Sequence, residues 1–311
     1  MELINNLDDY RKKSDSVITV GTFDGIHIGH AAILKRVIDY SKENNLTSTI
    51  VTFYPHPRLV VKQKNGRAVK LIYTIDEKIE VLREYEIDRL LVIPFTREFS
   101  QTSPESFVSE ILCKKLGLKC LIIGHDHGFG KNREGSIEFL KKFEKECKFD
   151  IFVQEPITND LGVISSSLIR DLLENGDIKK ANRCLNRPFF ITGQVIHGDK
   201  RGRILNYPTA NIKIENKDKC IPGNGVYVVK IDIEGDSHFG VMNIGVRPTF
   251  DKSEKTLEIH ILDFSQEIYG TELKVSFLDK LRDEKKFNSA DILKSQIDSD
   301  IVDAMNIIKN C

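Results

Sequence analysis

His27 and His30 close the segment Gly21-Thr22-Phe23-Asp24-Gly25-Ile26-His27-Ile28-Gly29-His30, three residues apart. On a helix that spacing turns both imidazoles to one side. Glycines let a loop turn tightly and approach a ligand closely. A helix N-terminus offers free N–H groups to an anion. Two imidazoles beside such groups could stabilise charge growing on a phosphate with no covalent intermediate. Polar loop histidines are the bland alternative, and the H-x-G-H spacing after a strand and a glycine-rich turn favours the phosphate. Neither G-x-x-x-x-G-K-[ST] nor G-x-G-x-x-G occurs, so the segment is neither a P-loop nor a dinucleotide fingerprint.

Further along stand Ser165, Ser166 and Ser167, then Arg170. Hydroxyls at a helix start with a guanidinium make a phosphate clamp; a plain N-cap run has the same composition. Tyr54-Pro55-His56-Pro57 and the stretch from Gly124 to Gly135 each follow a strand end and read as site loops. His125, Asp126 and His127 are metal-ligand types, but adjacent residues rarely converge on one ion, which favours substrate contact.

The second half carries a different set. Gly198-Asp199-Lys200-Arg201-Gly202-Arg203 is a glycine-and-cation loop, suited to ATP phosphates or to a basic surface turn. Thr209 and Asn211 follow in alternation, so on a strand they share a face and offer oxygen atoms of the kind Mg²⁺ takes. Glu258 interrupts an apolar strand, Leu257-Glu258-Ile259-His260, with His260 on its face. A partly buried carboxylate is costly without a task or partner. Deprotonating a substrate hydroxyl is one such task; a surface-facing Glu is the competing reading.

Two kinds of scaffold must position these residues. From residue 17 to 153 short apolar strands alternate with helical segments. Strands are expected at Val17–Val20, Thr47–Phe53, Arg89–Phe95, 119–124 and Phe149–Val153. Helices are expected over 29–43, from the capping-box pattern Thr74–Glu77, after Ser103-Pro104-Glu105, and over Glu138–Lys148. That rhythm means a parallel sheet covered by helices. Past Cys184-Leu185-Asn186-Arg187-Pro188 helical periodicity fades. Strands at Phe189–Val195, Val226–Ile233, His238–Asn243, Thr256–Asp263 and Glu272–Phe277 suggest an antiparallel barrel or sandwich. Ile292, Ile297, Ile301, Met305 and Ile308 then mark a final helix packed on it.

The 311 residues suit about two domains, placed at 1–184 and 185–311. Lys+Arg and Asp+Glu are 46 each, so bulk charge gives no grip on nucleic acid. The longest apolar run, Leu90–Phe95, falls far short of the ~20 residues of a membrane span, and no signal peptide is read at the N-terminus. Six scattered cysteines form no C-x-x-C pair and read as reduced thiols. A cytoplasmic enzyme acting on small molecules, with no nucleic acid, membrane or obligate protein partner, is the expectation.

Together these motifs resemble the bacterial bifunctional riboflavin kinase/FMN adenylyltransferases, or FAD synthetases, over about residues 15–285. Gly21–His30, Thr52–Pro57, Gly124–Gly135 and Ser165–Arg170 carry the likeness in the first half. Gly198–Asn211, Gly225-Val226-Tyr227, Asn243–Thr249, Leu257–Phe264 and Tyr269-Gly270 carry it in the second. H-x-G-H also occurs in class I aminoacyl-tRNA synthetases, but their K-M-S-K-S signature is absent. The resemblance implies an α/β Rossmann-like nucleotidyltransferase domain followed by an all-β six-stranded kinase barrel with a C-terminal helix. It implies that riboflavin is phosphorylated by ATP to FMN in the second domain. FMN is then adenylylated by ATP to FAD and pyrophosphate in the first. Gly21, Phe23, Asp24, Gly25, His27, His30, Ser166, Ser167 and Arg170 would hold ATP for adenylyl transfer. His56, Pro57, Asp126 and Phe129 would lie near the flavin. Gly198, Lys200, Gly202, Arg203, Pro208, Thr209 and Asn211 would hold ATP in the kinase, Thr209 and Asn211 with Mg²⁺, and Glu258 resembles its catalytic base. Three positions depart from the family pattern: Asn206 replaces Gly, His127 replaces Phe, and Ser167 replaces the commoner Thr. A kinase with weakened adenylyl transfer is the alternative that His127 raises.

Overall fold

Val17, Ile18, Thr19 and Val20 are β-branched, and the strand they form, β2 (Ser16–Val20), is buried along its whole length. A strand buried on both faces belongs inside a parallel sheet. The computed structural model describes residues 1–311 apart from 13, 62–67, 126–127, 129, 131–134, 199–206, 249–252 and 310–311. Two compact units result: Met1–Lys70 with Ile75–Ser166, and Leu71–Thr74 with Ser167–Cys311.

In the first unit β1 (Glu2–Ile4), β2, β3 (Thr47–Tyr54), β4 (Arg89–Pro94), β5 (Leu118–Gly124) and β6 (Asp150–Gln154) form one parallel sheet, in the order β1-β4-β3-β2-β5-β6. The helices are α1 (Ile28–Asn44), α2 (Pro57–Val60), α3 (Ile75–Arg83), α4 (Pro104–Ser106) and α5 (Ile137–Cys147). Helix α1 buries Ile33, Leu34, Val37 and Ser41 and ends at Asn45 in the left-handed conformation (φ 53°), a common helix stop. The strand order reverses at β2: β3 lies on one side of it and β5 on the other. Connections leaving the carboxyl ends of β2 and β5 therefore diverge, and ligands bind in the crevice such a switch point opens. The H-x-G-H turn leaves β2, and the loop beginning at Gly124 leaves β5.

Three features here were not expected. The N-terminal residues add β1 beside β4 through Glu2, Leu3 and Ile4; three residues are too few for a periodic signal. Ser103 caps α4 by accepting the Ser106 N–H (3.1 Å), but Phe107–Lys115 then winds as a π-helix that buries Phe107, Val108 and Leu112. A two-residue ribbon, β7 (Thr158–Asn159) and β8 (Gly162–Val163), precedes α6 (Ser166–Asn175).

The second unit holds most of α6, α7 (Ile178–Leu185), and strands β9 (Phe190–Ile196), β10 (Ala210–Lys213), β11 (Gly225–Ile233), β12 (Asp236–Pro248), β13 (Ser253–Ile261) and β14 (Glu272–Arg282). These six strands close an antiparallel barrel in the order β10-β13-β12-β11-β14-β9. Leu257, Ile259 and Ile261 point inward along β13, as do Met242 and Ile244 along β12. Residues Leu71–Thr74 also belong to this unit. Leu71 bridges Lys219, and the Lys219 ammonium donates to the carbonyls of Ile72 (2.7 Å) and Phe190 (2.8 Å). It also lies 5.0 Å from the Tyr73 ring centroid and 4.8 Å from that of Phe189.

The C-terminal helix, α8 (Ala290–Ile308), packs on β11, β12 and β14 by a face that takes in the half-buried Ile297, Ile301 and Ile308 but leaves out Ile292 and Met305. Ile292 is 55% and Met305 40% exposed, while Asp300 and Ala304 are the buried residues. Asp300 is turned inward because Arg282 of β14 meets it in a two-pronged ion pair, with Nε–Oδ1 at 2.9 Å and Nη2–Oδ2 at 2.7 Å.

Candidate active sites

The turn between β2 and α1 has a strained backbone. Phe23 (φ 46°), Gly25 (φ 88°) and Ile26 (φ 43°) are left-handed, a region costly for side chains other than glycine. Packing holds it there, since Phe23 and Ile26 are 2% and 0% exposed. Hydrogen bonds help. The Thr22 carbonyl accepts from Lys78 Nζ (2.7 Å) and Thr52 Oγ1 (3.3 Å), and the Asp24 carbonyl accepts from Ser166 Oγ (2.8 Å).

The turn delivers His27 as the N-cap of α1, its Nδ1 accepting the His30 N–H (3.4 Å). The two imidazoles stack with centroids 3.8 Å apart and planes 22° apart. A Cβ at Gly29 would sit 3.1 Å from the His27 ring, so the glycine leaves that ring its place. His30 also rests against Phe23, 5.2 Å between centroids. Its Nδ1 is buried without a hydrogen-bond partner among the described residues. Burial, with the neighbouring His27 and Lys78, holds the His30 pKa well below the usual histidine range. At neutral pH His30 is thus an uncharged imidazole, able to donate from one nitrogen and accept at the other.

The barrel presents the second constellation on its outer face. Asn211 of β10 pairs with Glu258 of β13, and Glu258 pairs with Asn243 of β12. Residues directly opposite share a face, so an amide, a carboxylate and an amide run in one row across three strands. Glu258 and His260 are half-buried between inward-facing Leu257, Ile259 and Ile261. His260 Nδ1 donates to the Pro208 carbonyl (2.9 Å), anchoring the backbone one residue before Thr209. The Tyr207 ring meets His260 edge-on at 5.4 Å, and its hydroxyl bonds Asp298 of α8. A Cβ at Gly198 would fall 2.1 Å from Asn211 Nδ2, so glycine is what lets the β9 exit lie against Asn211.

A family model described as FAD synthetase matches residues 9–168, and one described as riboflavin kinase matches 185–308. A bifunctional riboflavin kinase/FMN adenylyltransferase of Buchnera aphidicola subsp. Schizaphis graminum is 38% identical over 97% of both chains. The Bacillus subtilis protein of that name is 34% identical over 96% of this chain and 94% of its own. This chain belongs to the bifunctional riboflavin kinase/FMN adenylyltransferase family. A crystal structure named as a macrolide-efflux protein from Streptococcus pneumoniae superposes with a TM-score of 0.89 at 31% identity, covering 98% of each chain. No helix among the described residues here is long and apolar enough to cross a membrane.

Against this family membership the sequence-derived candidates sort by place. Gly21, Phe23, Asp24, Gly25, His27, His30 and Ser166 meet in the first unit around one turn. Ser167 and Arg170 lie in the opening turns of α6, grouped with the second unit. His56 follows β3 and caps α2, its Nδ1 accepting the Arg58 N–H (3.1 Å), with Pro57 as the first helical residue. Gly198, Pro208, Thr209, Asn211 and Glu258 gather on the barrel. Asp126, His127, Phe129, Lys200, Gly202, Arg203 and Asn206 lie outside the described residues. Lys78 escaped the sequence reading as a site residue. It sits on the amphipathic helix α3 after the expected capping box, and a lone lysine on a helix ordinarily reads as solvated. Asn243 was legible only as part of the Asn243–Thr249 motif.

Proposed function

We propose that residues 185–311 transfer the ATP γ-phosphate to riboflavin, giving FMN, and that residues 1–184 join AMP from a second ATP to FMN, giving FAD and pyrophosphate. What carries the reading is one chain bearing both a stacked H-x-G-H pair at a helix N-terminus and a carboxylate set beside Asn211 on a closed barrel.

In the first site an FMN phosphate oxygen attacks the ATP α-phosphorus, and pyrophosphate leaves. The N-terminus of α1 and the His27–His30 pair receive the phosphates, with charge-sharing hydrogen bonds at the oxygens where charge develops. A phosphate oxygen would give the buried His30 Nδ1 the partner that no described residue supplies. Ser166, Ser167 and Arg170 are assigned to the phosphates as well, and Gly21, Phe23, Asp24 and Gly25 to the nucleotide's seat. His56, Pro57, Asp126 and Phe129 are assigned to the flavin.

In the second site Glu258 takes the proton of the riboflavin hydroxyl as its oxygen attacks the γ-phosphorus, the bond to the β-phosphate breaks and ADP leaves. Gly198, Lys200, Gly202, Arg203 and Pro208 form the ATP loop. Thr209 and Asn211 are neutral oxygen donors fixed by Gly198 and by the His260–Pro208 bond, which fits a Mg²⁺ that keeps part of its water shell. Bound there with ATP, Mg²⁺ would neutralise phosphate charge during transfer.

Single-site variants assayed on each half-reaction test this assignment. Glu258→Gln is expected to slow riboflavin phosphorylation by ~10²–10⁴ while converting supplied FMN to FAD at the normal rate. His30→Ala is expected to do the reverse. Loss of both activities, or of neither, in either variant contradicts the assignment.

A further inference from the structure

Lys78 is 5% exposed, yet it carries an ammonium into the first unit. Burying an unneeded cation is costly. Its Nζ donates to the Thr22 carbonyl (2.7 Å), the same oxygen that receives Thr52 Oγ1. That carbonyl precedes the left-handed residues Phe23, Gly25 and Ile26 of the turn that leads to His27 and His30. The groups charging its surroundings are Asp24, buried in the turn, and the His27–His30 pair at the start of α1. On its own helix the neighbouring Glu77 is also buried.

We propose that Lys78 is a positioning residue for adenylyl transfer: through Thr22 it sets the turn that presents His27 and His30, and it brings a positive charge near His30. The inference rests on the reading of residues 1–184 as the adenylyl-transfer half. Two consequences follow from the geometry. Without the ammonium the turn loses a donor at the carbonyl that precedes its strained residues, so the imidazoles lose alignment and the effect falls on kcat more than on KM. The charge also opposes protonation of His30, so removing it lets the imidazole take up a proton at higher pH. Burial lowers the Lys78 pKa to about 8, with Asp24 opposing the shift.

The test uses the full chain, with riboflavin phosphorylation as an internal control. Lys78→Met is expected to lower kcat for FMN-to-FAD conversion by ~10- to 100-fold with little change in KM. It should also move the acid limb of the pH–rate profile upward, and leave riboflavin phosphorylation at its normal rate. Unchanged kcat together with an unmoved acid limb would overturn the proposal. Histidine NMR of the unaltered protein decides the matter even where Lys78→Met does not fold. The His30 signal should show a second inflection as Lys78 releases its proton, and a His30 signal flat across the pH at which Lys78 itself titrates would overturn the role of the charge. If the unaltered protein forms no FAD at all, the adenylyl-transfer reading fails instead.

Discussion

His30 combines a buried nitrogen without a hydrogen-bond partner among the described residues and a pKa depressed by burial, His27 and Lys78. The depressed pKa fixes the sign of its pH dependence. Its contribution to stability is fully present above the ordinary histidine pKa of ~6.5 and is lost as pH falls from there toward the lower folded value, because the unfolded chain binds the proton more readily. The unfolding temperature of the first unit should therefore drop on acidification below pH ~6.5, and the drop should be smaller in His30→Gln; identical acid slopes would count against the burial argument. Gly198 makes a second residue-scale case. Gly198→Ala puts a methyl where Asn211 Nδ2 now lies. Riboflavin phosphorylation should weaken at least tenfold while FMN adenylylation is untouched, as separate initial-rate assays would show. A normal kinase rate would mean that Asn211 can move without consequence.

At the scale of elements, the decisive contact of α8 is electrostatic as well as apolar. Arg282 and Asp300 have side-chain exposures of 15% and 5%. Removing one partner leaves a buried charge uncompensated, typically at ~3–5 kcal/mol. Asp300→Ala should accordingly lower the unfolding temperature of the barrel unit by several degrees, whereas Ile292→Ser, at a 55% exposed position, should shift it within error. Calorimetry of both variants checks the pair. The same helix shows where sequence reading stops. Its existence and its cap, Ser289, follow from periodicity and side-chain chemistry. Its buried face follows only in part: Ile297, Ile301 and Ile308 lie on it, but Asp300 reads as polar until Arg282, distant in sequence, is seen opposite it. The parallel sheet and most strands were legible from apolar runs and turn residues. β1 and the π-wound Phe107–Lys115 were not, since each depends on neighbours that no local pattern announces. Of the candidate site residues, His27 with His30 and Thr209 with Asn211 were proposed from local spacing, and Glu258 from interrupting an apolar strand. Lys78 was not among them, because its place beside the turn rests on a contact with Thr22 across 56 residues of chain.

For the whole molecule, chemistry and packing divide the chain differently. The family models split at 168 and 185, but the barrel's packing unit also holds α6, α7 and Leu71–Thr74. A piece comprising 185–311 alone would lose the Ile72 carbonyl and the Tyr73 ring that Lys219 contacts. Such a piece should unfold at a lower temperature than the barrel transition of the full chain; an equal temperature would show that Leu71–Thr74 adds nothing to that unit. The central claim, two successive transfers to one flavin, is tested most directly by a time course. The purified chain is incubated with riboflavin, ATP and Mg²⁺, and the flavins are separated chromatographically. The account predicts that FMN rises first and then gives way to FAD, with pyrophosphate released in step with FAD. FMN accumulating without FAD, or riboflavin left unchanged by a folded sample, would contradict it.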